Sequence, residues 1–117
     1  IQYASASLWR DEAHVEESRA LYRAKFDIAE AALGRLPGFR RPEGGFFLWL
    51  DLSNFGGGEA AAKTIWKGCG VKILPGGFLA QIDTNGLNPA RDYARLALVD
   101  GIAPTRDAFE RLGSLLL

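Results

Sequence analysis

From Leu8 to Leu36, Val15, Tyr22, Phe26, Ala29, Leu33 and Leu36 fall on one helical face. Glu16, Glu17, Arg19, Arg23, Asp27 and Glu30 fall between them and face water. The pattern predicts a single long helix over Leu8–Leu36. Ser5 or Ser7 is placed to cap it, Arg23 and Asp27 to pair along it, and Pro37-Gly38 to end it. So long a helix exceeds what a small core requires. It reads as a spine that also packs on something outside this chain.

The period then changes. Arg41-Pro42-Glu43-Gly44-Gly45 is a turn-rich lead-in to Phe46-Phe47-Leu48-Trp49-Leu50-Asp51-Leu52, a run that predicts a strand buried on both faces. After the loop Asn54–Gly58, Glu59–Cys69 reads as a helix with Ala62, Ile65, Trp66 and Cys69 on one side, stopped by Gly68 and Gly70. Val71–Leu74 is a second strand, broken at Pro75-Gly76-Gly77. Phe78–Arg91, with Asn85-Gly86 and Asn88-Pro89, is an irregular connection long enough to suggest function. Tyr93–Val99 is a third strand. Pro104-Thr105 opens a last helix, with Thr105 as cap, Asp107 in its first turn and a stripe of Phe109, Leu112 and Leu116. The expected fold is one domain over residues 1–117, an α/β (α+β) two-layer sandwich. Its small three- to four-stranded sheet has helices on one face, and Phe39 offers a start for the extra edge strand.

Composition narrows the function classes. The 117 residues are 48% apolar and carry a formal net charge of zero. That balance argues against a nucleic-acid surface or a polybasic membrane patch. No apolar run is long enough to span a bilayer. The lone Cys69 has no internal disulfide partner and fits a reducing, cytoplasmic setting. The chain begins Ile1-Gln2-Tyr3, contains no methionine and has no signal-peptide pattern, so it is expected to be a fragment of a longer protein.

Arg95 is the residue that most invites a chemical reading. In Tyr93-Ala94-Arg95-Leu96-Ala97-Leu98-Val99 it shares a face with Tyr93, Ala97 and Val99, and a guanidinium in an apolar strand needs an anionic partner. Arg can grip a carboxylate through two parallel hydrogen bonds. On pattern alone an internal salt bridge to Asp51, Asp92 or Asp100, or exposure at a sheet edge, is the favoured explanation. Gly56-Gly57-Gly58 and Gly76-Gly77 lack the Lys-Ser or Lys-Thr of a nucleotide loop and read as turn punctuation. His14 has no second ligand nearby and reads as a surface or partner-facing histidine, Cys69 as a buried helix cysteine, and Trp9, Trp49 and Trp66 as core. No pair of carboxylates stands out for acid–base work.

Taken together, several segments resemble the small domain of class I/II, fold-type I, pyridoxal-phosphate-dependent aminotransferases. They are Trp9–Val15 with Tyr22–Asp27, Pro42–Leu50, Gly70–Gly76 and Tyr93–Val99, in family order over nearly the whole chain. The likeness is nearest to bacterial N-succinyldiaminopimelate aminotransferase-like proteins of lysine biosynthesis. The resemblance implies that Arg95 binds the substrate α-carboxylate and that Phe46 lies near the active-site mouth. It implies a full-length homodimer acting on an amino acid and a 2-oxo acid. It also implies that pyridoxal 5'-phosphate is bound by a large domain of the same chain, since Lys25, Lys63, Lys67 and Lys72 match no Schiff-base motif. No catalytic or metal-binding residue is expected within the chain, and the fragment alone is expected to be inactive. Asn88-Pro89-Ala90 departs from the family, where glycine often follows Asn-Pro, so a changed turn is expected there. A stand-alone small-ligand-binding or regulatory module, or an interaction domain, is the alternative.

Overall fold

The computed structural model describes residues 1–117. The elements are α1 (Gln2–Arg10), α2 (Ala13–Leu33), β1 (Phe47–Asp51), α3 (Gly58–Cys69), β2 (Leu74–Pro75), β3 (Tyr93–Ala97) and α4 (Ile102–Leu116). Short 3₁₀ turns lie at Ser53–Phe55 and Gly76–Phe78. β3 sits in the centre of the sheet, antiparallel to β1 on one side and β2 on the other. One sheet face contributes Leu48, Leu50, Ala94 and Leu96 to a core shared with Leu33 of α2, Ile65 of α3, and Phe109 and Leu112 of α4. This is the two-layer α/β sandwich that the pattern predicts, with three strands.

The spine is two helices rather than one. Asp11 is extended (φ −87°, ψ 102°), and its Oδ1 accepts the Ala13 N–H at 3.1 Å. A short acidic side chain that satisfies a backbone donor ends one helix and starts the next. Ser5 and Ser7 therefore lie inside α1 and cap nothing. α2 ends at Leu33, and Leu36, still buried, is reached through a turn in which its N–H bonds the Leu33 carbonyl at 2.8 Å. The Arg23–Asp27 pair does not form. Arg41 takes Asp27 at 2.6 Å and Glu30 at 2.8 Å, and Arg23 turns to Glu16 at 3.8 Å.

β1 is not buried on both faces. Leu48 and Leu50 point into the core, while Trp49 between them is 41% exposed, because no helix covers the second sheet face. Phe39 packs against the core instead of starting a fourth strand. β2 is shorter than the apolar run Val71–Leu74. Val71 and Ile73 spend their side chains on the core while their backbone stays outside the ladder. Pro75, which has no N–H to donate, is tolerated because β2 is an edge strand.

α4 starts at Ile102, one turn early, with Gly101 at its N-cap. Thr105 is consequently buried inside the first turn, donating its hydroxyl to the Asp100 carbonyl at 3.4 Å, and Asp107 lies beyond that turn. Phe109, Leu112 and Leu116 form the buried stripe as predicted. The three tryptophans are not core: Trp9, Trp49 and Trp66 are 85%, 41% and 52% exposed. Cys69 is half-buried, its thiol donating to the Ile65 carbonyl at 3.3 Å.

Candidate carboxylate site on the open sheet face

The strand pleat sorts side chains between the two sheet faces. Opposite the core, β1 presents Phe47, Trp49 and Asp51, and β3 presents Tyr93, Arg95 and Ala97. Arg95 is flanked on both sides, by Trp49 of β1 and Leu74 of β2, so it occupies the middle of this face and not an edge. The Trp49 ring stacks on Tyr93 at 5.6 Å and 9°. Gly76 lies beneath it, where a Cβ would come within 2.7 Å of the indole and 2.6 Å of the Ala90 carbonyl oxygen. With that side filled, the half-buried Arg95 guanidinium rests 4.3 Å from the centre of the Phe47 ring.

No carboxylate lies within 4.0 Å of Arg95. None of the three acids that could have paired with it does so. Asp51 accepts the Ser53 N–H at 3.0 Å, which with the Ser53 hydroxyl holds its carboxyl below the usual range. Asp92 faces Arg91 at 3.6 Å, and the Asp100 carboxylate forms no ion pair with any basic group. Arg95 is thus a cation on an open surface, its guanidinium carbon over an aromatic ring and without an acidic partner. Such a group can accept a carboxylate edge-on through two N–H donors.

Phe46 precedes β1 and is 38% exposed. Its ring contacts Phe47 at 4.2 Å and Tyr22 at 5.9 Å, and it borders a groove of about 760 Å³ between α2 and the Arg41–Phe46 segment. Phe46 and Arg95 therefore meet the same ring, Phe47. Pattern reading overlooked Phe47 as the partner of Arg95, and it overlooked Lys25. That lysine is 2% exposed, donates Nζ to the Leu98 carbonyl at 2.8 Å, and lies 4.7 Å from the centre of the Tyr22 ring. Its position four residues before Ala29 on the core face was the available signal.

The remaining candidates have ordinary roles. Gly57 and Gly58 donate their N–H groups to the Leu52 and Arg91 carbonyls at 3.1 and 2.9 Å, so that loop has none to turn toward a phosphate. His14 is exposed, 3.8 Å from Asp11. No group of three or more His, Cys, Asp or Glu side chains could hold a metal ion. Ala90 follows Asn88-Pro89 without a positive φ, and the Asn88 side chain ties that turn to the Gly77 carbonyl at 2.8 Å. The lysines do not fit an aldehyde cofactor: Lys25 is committed to Leu98, Lys63 to Glu59 at 2.8 Å, and Lys72 lies over Trp66 at 5.1 Å. Lys67 is exposed on α3, in the helix layer behind the sheet.

No protein-family model matches the chain, and no curated protein matches it. Solved structures do. An aminotransferase from Neisseria meningitidis superposes over 99% of this chain with a TM-score of 0.89 and 35% sequence identity. LysN, an α-aminoadipate aminotransferase from Thermus thermophilus solved with N-(5'-phosphopyridoxyl)-L-leucine, matches 94% of the chain at 26% identity and a TM-score of 0.70. An aromatic aminotransferase from Pyrococcus horikoshii, 22% identical, shares the fold over 98% of the chain with a TM-score of 0.78. The chain spans 29%, 28% and 30% of the length of these three proteins. By architecture and by these neighbours, the chain has the fold of the aminotransferase small domain.

Proposed function

We propose that this chain is the small domain of a pyridoxal-phosphate-dependent aminotransferase, and that Arg95 holds the α-carboxylate of the amino-acid or 2-oxo-acid substrate. The observation that carries the reading is the half-buried Arg95 guanidinium, central on an uncovered sheet face and without a carboxylate partner. Phe46, at the edge of the same aromatic patch, forms part of the cleft mouth. Arg95 positions the substrate; it neither accepts nor donates the reacting proton. Such fixed placement of a reactant is a large part of catalysis. The cofactor supplies the carbonyl chemistry from a large domain outside these residues, since no lysine here stands beside Arg95. The chain alone is therefore inactive.

The finer assignment is a homodimeric, cytoplasmic enzyme of lysine biosynthesis acting on N-succinyldiaminopimelate. The order of the Pro42–Leu50, Gly70–Gly76 and Tyr93–Val99 segments and the unpaired Cys69 support it. No helix of the chain is long and apolar enough to cross a membrane.

Arg95→Lys in the full-length protein tests the clamp. Lysine keeps the charge and loses the planar fork. A charge-assisted bond is worth about 1.5–3 kcal/mol, so kcat/KM should fall on the order of a hundredfold. The thermal midpoint should hold. A large fall in midpoint with near-normal kcat/KM would return Arg95 to a structural role.

A further inference from the structure

We infer that Phe47 is a positioning residue for Arg95: its ring holds the guanidinium so that the outer N–H groups meet an incoming carboxylate. The inference deepens the proposed role of Arg95 and rests on it. Arginine is long and rich in rotamers, and on this face no acidic side chain restrains it. A guanidinium free to wander would lose that freedom on every binding event, and affinity would fall. Of the aromatic rings around it, Phe47 is the one the guanidinium lies over. Trp49, directly opposite Arg95, is stacked on Tyr93 and packed over Gly76. Phe47 pairs across the ladder with Ala97, whose small side chain leaves its ring open to the guanidinium at 4.3 Å.

The ring is itself braced. Phe47 meets Phe46 at 4.2 Å, Phe46 meets Tyr22 of α2 at 5.9 Å, and the Tyr22 ring lies 4.7 Å from Lys25 Nζ. Lys25 is anchored to the Leu98 carbonyl, just beyond the end of the strand that carries Arg95. The aromatic column thus ties the guanidinium back to the helix layer. A guanidinium held with its central carbon over a ring can still offer two N–H donors of its planar fork to a carboxylate.

The test uses the full-length protein with two substrates: its best amino acid, and the primary amine in which hydrogen replaces that amino acid's carboxyl group. The ratio of their kcat/KM values reads carboxylate recognition alone. Phe47→Leu keeps an apolar side chain without a π face; Phe47→Met is the second variant should the first not fold. The ratio should fall about tenfold, in the range of a cation–π contact, through KM for the amino acid, and Phe47→Tyr should restore it. In an Arg95→Lys background, Phe47→Leu should change the ratio no further. An unchanged ratio in Phe47→Leu, or equal losses on both substrates, overturns the inference while the clamp stands. An unchanged ratio in Arg95→Lys overturns the clamp itself.

Discussion

Lys25 shows how a single residue can be hidden in an amphipathic pattern. It follows Ala24 and precedes Phe26, and its charge suggests water, yet it is buried with its ammonium on the Leu98 carbonyl. Helical spacing to Ala29 could have placed it on the core face, but the acceptor, 73 residues away, could not be read from the local chain. Lys25→Met keeps most of the stem and deletes the donor, leaving the Leu98 carbonyl without it. An unsatisfied buried acceptor costs about 1–3 kcal/mol, so the thermal midpoint should drop by several degrees. An unchanged midpoint would mean that relief from burying the ammonium offsets the lost bond. Arg95 is the opposite case. Its alternation in β3 flagged it directly, while the choice between an internal salt bridge and a free cation needed the ion pairs and hydrogen bonds that Asp51 and Asp92 make.

Among the elements, those defined by one-sided apolar stripes were legible. The buried Phe26, Ala29 and Leu33 of α2 and the stripe of α4 lie where the period put them. The break at Asp11 was harder to see, because a run of charged residues hides a capping side chain among solvated ones. β1 misled for a different reason. Apolar residues fill both of its faces, but Trp49 belongs to a surface that these residues do not cover. The junction of the two layers depends on glycine. The first residue of α3, Gly58, passes so close to β3 that a Cβ would collide with the Tyr93 carbonyl. Overpacking of this kind costs about 1–3 kcal/mol. Gly58→Ala should therefore lower the urea midpoint, and Ala60→Ser, at an exposed position two residues on, should not. Equal midpoints for the two variants would contradict the close approach.

At the scale of the molecule, the shape points outward. The radius of gyration is 16.9 Å and the extents are 51 × 38 × 21 Å. A compact chain of this length would have a radius of about 13 Å. The excess has a visible source: α1 buries none of its residues, and Tyr3, Leu8 and Trp9 stand in solvent. One side of the sheet carries Trp49, Phe47 and Arg95 without cover. Exposed apolar surface of this kind marks an interaction or ligand face. A partner layer on the open sheet would turn the Arg95 surface into the wall of a cleft, which is where a carboxylate grip becomes strong, since desolvation raises the worth of each charged bond. The fold could be assembled from the sequence; the uncovered surface was legible only in the long spine that reads as packing on something outside this chain. The most direct measurement is a crystal structure of the full-length protein with its amino-acid substrate bound. The account predicts that the α-carboxylate accepts two Arg95 N–H groups at about 2.7–2.9 Å, with the guanidinium still lying on Phe47. A carboxylate held by other residues, with Arg95 paired to an acidic side chain of its own protein, would contradict it.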